Sequence, residues 1–134
     1  MKKSSILILI IICLCGCGKS SKKTSITGEI KGLGTDTLYL YGMDESFDRI
    51  DTIFANGDKF SYTTSIDTIT SAYLLIDNQI EYPIFLDKGN QIKIKGNIDH
   101  LEFLDINGNK YNEEFTAFQK ELGCLLYTSD AADD

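Results

Sequence analysis

The stretch FDRIDTIFANGDKFSYTT, residues 47–64, decides how the chain folds. Two short runs with period-two alternation, Phe47 to Phe54 and Lys59 to Thr64, flank Asn56-Gly57-Asp58. Asn-Gly tolerates the positive φ that a tight turn requires, so the stretch reads as a β-hairpin. The same alternation continues outward in both directions. Upstream, Ile26, Gly28 and Ile30 lie on one face of a first strand, Leu38 and Leu40 on one face of the next, and Gly32-Leu33-Gly34-Thr35-Asp36 closes a hairpin between them. Downstream, strands are expected over Ser71 to Asp77, Tyr82 to Asp87 and Gln91 to Lys95, with turns at Asn78 and Lys88-Gly89-Asn90. Pro83 has no backbone donor, so its strand should lie at an edge or begin there. Ile98 to Ile106 supplies the last strand, ended by Gly108. Short alternating segments at this spacing predict an all-β antiparallel domain over residues 25–107, either a β-sandwich or a partly open barrel.

After Gly108 the period changes. Tyr111, Phe115, Phe118 and Leu122 recur at i, i+4, i+7 and i+11, with Glu113, Glu114, Lys120 and Glu121 on the other faces. Residues 108–123 therefore form a C-terminal amphipathic helix, expected as a connector into a further domain; a helix covering the sheet is the alternative.

The N-terminus carries a different signal. Lys2 and Lys3 precede the unbroken apolar run Ile6 to Ile12, the order of a secretory leader. The run gives way to Gly16, Gly18 and Lys19 well short of the roughly 20 apolar residues that a spanning helix needs. Leu14-Cys15-Gly16-Cys17 resembles a lipobox, which implies cleavage after residue 16 and a diacylglyceryl thioether on Cys17. Each lipid methylene buried in the bilayer contributes about 0.8 kcal/mol. Residues 17–24 are polar and unpatterned, a flexible tether. No aspartate and no acidic cluster follows Cys17, so by resemblance to Gram-negative sorting rules the expected location is the periplasmic face of the outer membrane.

At the other end, Cys124-Leu125-Leu126-Tyr127-Thr128-Ser129 matches the translation of a transposase adapter used in sequencing libraries, and residues 130–134 read as its continuation. Residues 124–134 are excluded from fold reasoning on this ground, and the native reading frame is expected to run on from near Gly123. Cys13 and Cys15 belong to the leader and Cys17 to the anchor, so the folded part offers no disulfide framework and no cysteine metal site.

Between Cys17 and Gly123 stand 11 lysines and arginines against 17 aspartates and glutamates. That balance opposes nucleic-acid binding, which rests on cations at phosphates. The motifs that suggest chemistry weaken on inspection. Asp105-Ile106-Asn107-Gly108-Asn109 begins like a calcium loop, but Lys110 and Thr116 stand where glycine and glutamate belong. It reads as a strand-to-helix turn in which Asn107 or Asn109 caps the helix. Gly32-Leu33-Gly34 lacks the third glycine and the lysine of phosphate loops. His100 is the only histidine and reads as an exposed strand residue. Asp44, Glu45, Asp48 and Asp51 cluster around a loop, where paired carboxylates could do acid–base work but a solvated loop is the simpler reading. Tyr39, Tyr41, Tyr62, Tyr73 and Tyr82 suit a pleated surface. No catalytic residue, metal site or cofactor is expected.

Set out in this order, Ile26-Thr27-Gly28-Glu29-Ile30, Asp51-Thr52-Ile53 followed by Gly57 and Phe60, Ile84-Phe85-Leu86-Asp87-Lys88-Gly89, and Gly108 with Asn112 resemble an N-terminal domain of unknown function. That domain occurs in Bacteroidetes lipoproteins of the AhpC/TSA and TlpA/ResA thioredoxin-like type, and the resemblance covers about Ser25 to Leu122. It implies a helical connector leading to a thioredoxin-fold domain whose Cys-x-x-Cys pair exchanges disulfides in the periplasm. This sequence stops before any such pair, so no catalytic residue carries over. The expected function is a membrane-anchored, non-catalytic β-domain positioning a thioredoxin-like domain or its partners. A stand-alone envelope lipoprotein that binds a ligand or protein is the alternative, and a hydrolase using the acidic loop is the weakest. Replacing Cys17 by alanine should abolish incorporation of labelled palmitate and leave the leader uncleaved; labelling that survives the substitution would reject the lipobox.

Overall fold

The hairpin at residues 47–64 forms, but its first strand starts later than the alternation suggests. In the computed structural model, which describes residues 23–132, the strands are β1 (Thr24–Lys31), β2 (Thr37–Gly42), β3 (Ile50–Asn56), β4 (Lys59–Thr64), β5 (Thr70–Ile76), β6 (Ile80–Leu86), β7 (Gln91–Asn97) and β8 (Asp105–Asn107). A short 3₁₀ helix at Ile98–Phe103 separates β7 from β8, and helix α1 (Lys110–Ala132) follows. The expected leader and Cys17 lie outside the described residues. Thr24, at the end of the expected tether, is already the buried first residue of β1.

β3 and β4 pair through Ala55↔Phe60 and Asn56↔Lys59, so the turn residues are Gly57 and Asp58, at φ 61° and 71°. Two positive φ values in a two-residue loop match the right-handed twist of the flanking strands. Asp58 holds this conformation because its Oδ1 accepts from the Gly34 N–H at 2.7 Å and its own N–H donates to Gly34 O at 3.0 Å. Phe47 departs from the expected strand: it turns inward and is buried against Gly42, where a Cβ would lie 2.1 Å from the Phe47 carbonyl oxygen.

The strands build one sheet in the order β6-β5-β2-β3-β4-β1-β7-β8. The fold is all-β followed by a helix, and the sheet is a curled half-barrel, the partly open alternative rather than a sandwich. Three expectations need correction. β1 and β2 do not pair, because the β3–β4 hairpin stands between them, so Gly32 to Asp36 is a crossing link rather than a hairpin turn. β1 and β7 pair in parallel, from Ser25↔Gln91 to Lys31↔Asn97, in an otherwise antiparallel sheet. Residues 98–106 are not one strand: Asn97 Oδ1 accepts from the Asp99 N–H at 2.9 Å and starts the 3₁₀ helix, which Leu101 and Leu104 pin to the core.

The curl follows from one short link. β6 and β7 sit near opposite ends of the strand order, yet only residues 87–90 join them. The two ends of the sheet must therefore approach each other. The Thr24 hydroxyl donates to Asp87 O at 2.5 Å and the Ser25 N–H to Asn90 O at 2.9 Å, fixing β1 to the same corner. Inside the curl, Ile26, Ile30, Leu38, Leu40, Leu74, Ile84 and Ile92 are fully buried.

Helix α1 closes the gap between the edge strands. Asn112 accepts from the Phe85 N–H and donates to Phe85 O, both at 2.8 Å, on β6. One turn on, Thr116 accepts from the Ile106 N–H at 3.2 Å and donates to Ile106 O at 3.3 Å, on β8. The side chains thus supply what a neighbouring strand would supply. Pro83 shares the parity of Phe85 on β6, so the N–H it lacks belongs to the outer side of this edge strand, as its chemistry demands. Asn109 Oδ1 accepts from the Asn112 N–H at 2.9 Å and caps the helix. Only part of the apolar stripe packs: Phe115 lies against the core, its ring edge-on to those of Tyr82 and Phe85 at 5.9 and 6.1 Å. Asn112 and Thr116 are 2% and 5% exposed, whereas Tyr111 and Phe118 are 52% and 56% exposed.

Truncating Asn112 to alanine should cost about 1–3 kcal/mol, the desolvation penalty of the Phe85 groups left unpaired, read from urea unfolding midpoints. The Tyr82 hydroxyl is buried beside Thr116, whose hydroxyl is committed to Ile106 and gives it no aligned hydrogen bond. Tyr82→Phe should therefore hold or raise stability, and a loss above about 1 kcal/mol would refute this account of the interface.

Candidate functional site

A hollow lies at the loop between β2 and β3. Asp44 starts it by accepting from the Ser46 hydroxyl at 2.5 Å and the Ser46 N–H at 2.8 Å, which holds its carboxyl below the usual range. This local turn reverses the chain, so Phe47 points in and Arg49 lies over its ring, 4.7 Å from the centroid. Arg49 Nε donates to Asp51 Oδ2 at 3.0 Å and a terminal guanidinium nitrogen donates to the Thr64 hydroxyl. The Tyr62 hydroxyl donates to the same Asp51 oxygen, and burial, then the Asp51 acceptor, push its phenol upward in pKa. Arg49 thus walls two hollows. One, of about 420 Å³, is bordered by Tyr41, Met43, Asp44, Phe47 and Asp48; the other, of about 270 Å³, by Ser46, Asp67 and Thr68.

The arrangement engages its charged groups internally. Its guanidinium is matched by Asp51, and Asp51 and Asp44 are each committed to hydrogen-bond donors. Among the described residues no group of three or more His, Cys, Asp or Glu side chains is placed to hold a metal ion. His100 lies on the 3₁₀ helix rather than on a strand; it is exposed, with Nδ1 3.6 Å from Glu102 Oε1. Asp105 of the calcium-like stretch is taken by Lys120 at 3.4 Å, and Asn109 serves as the helix cap. Leu33, between the two glycines, is buried as a core residue.

A family model described as a domain of unknown function (DUF4369) matches residues 24–115. The chain belongs to this family. No curated protein and no solved structure matches it. The DUF4369 match opens at the first residue of β1 and ends in α1 at residue 115, so it includes Asn112 and the start of the helix that closes the sheet but not Thr116.

Within the DUF4369 domain the five strand tyrosines divide by side of the sheet. Tyr62 and Tyr82 point inward; Tyr39, Tyr41 and Tyr73 lie on the outer face, with the Tyr41 and Tyr73 rings 5.8 Å apart. Ile50 and Phe54 extend that outer face, both well exposed. The Arg49–Asp51–Tyr62–Thr64 network was not evident from local spacing, although a signal existed. Extending the Ala55↔Phe60 register places Asp51 opposite Thr64 and diagonal to Tyr62.

The Tyr41 hydroxyl donates to Glu81, and burial, then that carboxylate, push the phenol up to about 12. A phenol raised in the folded state contributes stability below its ordinary value near 10 and loses it as pH rises through about 12. Thermal midpoints should therefore fall more steeply between pH 9 and 12 in the native protein than in Tyr41→Phe; parallel curves would refute the coupling.

Proposed function

We propose that this DUF4369 domain is the membrane-anchored, non-catalytic N-terminal module of a periplasmic thiol-disulfide oxidoreductase lipoprotein, positioning a thioredoxin-like domain or its partners. On this reading Cys17 carries the anchor, the chain's own coding sequence gives way to adapter near Gly123, and the redox chemistry belongs to residues further on. The observation that carries it is the split packing of α1, in which Phe115 alone of the apolar stripe packs against the core. The helix commits its polar Asn112 and Thr116 to the sheet and turns Tyr111, Phe118 and Leu122 outward. An exposed apolar helix face of this kind is suited to cover by a following unit. The family resemblance over Ser25 to Leu122 names the kind of unit.

A second reading, a stand-alone envelope lipoprotein that binds a small ligand or protein, draws on the hollow of about 420 Å³ beside Arg49 and Phe47. The two readings separate in the native reading frame. Sequence beyond Gly123 that encodes a thioredoxin-like domain with Cys-x-x-Cys supports the first, and a stop codon shortly after the helix would sink it. In that longer chain, Phe118→Ser with Leu122→Ser should speed proteolysis after α1 at least severalfold while moving β-domain stability by no more than about 0.5 kcal/mol, as for exposed positions.

A further inference from the structure

The sheet carries a second outer face opposite the tyrosines in the curl, and its charge runs against that of the whole. Between Cys17 and Gly123 acids outnumber bases 17 to 11, yet the outward positions of β4, β1 and β7 hold Lys59, Lys31, Lys93 and Lys95. The registers show that these form one array. Glu29 of β1 stands between Lys59 of β4 and Lys95 of β7, Thr27 stands beside Lys93, and Lys31 beside Asn97. Rows two residues apart along a strand are about 6.6–6.8 Å apart, and neighbouring strands about 4.8 Å. Four ammonium groups therefore share one patch of sheet.

Little neutralises them. Glu29 approaches Lys59 only at 3.9 Å, with the Lys59 and Glu29 side chains 72% and 49% exposed. Asp105, the other carboxylate beside Lys95, is taken by Lys120 at 3.4 Å from α1. Lys31, Lys93 and Lys95 make no ion pair among the described residues. The hollows between these side chains are shallow, about 210 Å³ each, and too open to enclose a ligand. An array of hydrated point charges on a flat face fits an extended anionic plane rather than a single bound anion.

We propose that the outer face of β4, β1 and β7 docks through Lys31, Lys59, Lys93 and Lys95 on the anionic phospholipid surface that anchors the chain. The proposal rests on the lipoprotein reading, because the anchor is what holds this face near lipid. Only Gly18 to Lys23 separate Cys17 from the first residue of β1. At about 3.3–3.6 Å per residue that tether spans roughly 20 Å at most, within a few Debye lengths of the bilayer. Lys19, Lys22 and Lys23 in the tether add charge of the same sign. The acid excess elsewhere on the domain is repelled by the same surface, so one orientation is selected. That orientation turns Tyr39, Tyr41 and Tyr73 away from the membrane.

The test uses the mature chain from residue 17 with Cys17→Ser, which keeps every core residue and lacks only the lipid. It should co-sediment with vesicles containing about 30% phosphatidylglycerol and not with phosphatidylcholine alone, and high salt should release it. Lys31→Gln, Lys59→Gln, Lys93→Gln and Lys95→Gln combined should lower partitioning at least tenfold with an unchanged circular dichroism spectrum. Lys88→Gln with Lys110→Gln should lower it less than twofold. Equal binding to both vesicle types, or full binding by the fourfold variant, overturns the docking face. Palmitate labelling of Cys17 in cells reports the anchor separately: labelling without vesicle binding rejects the face alone. Vesicle binding without labelling supports the lipid preference of the face and rejects the anchor.

Discussion

Asn112 and Thr116, one helical turn apart, each bond both backbone groups of one residue on an edge strand, Phe85 on β6 and Ile106 on β8. The half-barrel depends on this pair. A sheet curled until its ends meet brings two unpaired strand edges together at a distance too great for them to pair with each other. Covered by an apolar helix, those edges would hold N–H and C=O groups without partners, each costing about as much as a lost hydrogen bond. Left open, they would template pairing with other chains. A carboxamide and a hydroxyl at i and i+4 solve both problems, because one side chain can donate and accept at once. The price is part of the helix's amphipathicity, since the face spent on the edges is polar and, Phe115 aside, the apolar stripe is left outside.

This sharing of the packed face between polar and apolar residues explains where sequence reading succeeded and where it failed. Alternation located most of the strands, and Asn56-Gly57-Asp58 located the tightest turn, because period and turn chemistry are local properties. Pro83 narrowed its strand to an edge, or to a strand beginning there, for the same reason: a missing N–H matters wherever the strand lies. Pairing partners are not local. Nothing in Gly32 to Asp36 says that a whole hairpin will stand between β1 and β2, or that β7 will lie parallel to β1. The helix was legible as a helix, but which side packs was not. Hydrophobic pattern assigns the apolar side to the core, and only the edge strands, invisible in the helix's own sequence, demand Asn112 and Thr116 there.

The candidate site was legible in its residue types and not in their partnerships. Four acids near one loop suggest a cluster, yet Asp51 is drawn inward by Arg49 and Tyr62 while Asp44 is turned onto Ser46. Electrostatics separates them: a carboxylate with a guanidinium and a phenol in reach is worth more as an acceptor than as a repelled neighbour of other carboxylates. Arg49 is consequently a structural cation that also shapes the hollows. Its stacking on Phe47 fixes the loop, so the hollows owe their form to the fold and not to a reactive group.

One corner of the molecule connects these levels. The Thr24 hydroxyl and the Ser25 N–H, where the chain enters β1, bond to Asp87 O and Asn90 O. Asn90 Oδ1 accepts from the Asp87 N–H at 3.0 Å and from Asn109 Nδ2 at 2.8 Å. Asn109 in turn caps α1 and donates to Phe85 O at 2.9 Å on the strand that the helix closes. The start of β1 and the start of α1 are therefore joined through a continuous set of hydrogen bonds, not merely through the body of the sheet. Loop 87–90, which forces the curl, is also the bridge between them. Rotation of the helix relative to the point of entry would break several of these bonds together, so the domain transmits orientation from one end of the chain to the other. In a module proposed to stand between an anchor and a following domain, that rigidity is the useful property. The direction in which α1 presents Phe118 and Leu122 is then set by how the domain itself sits.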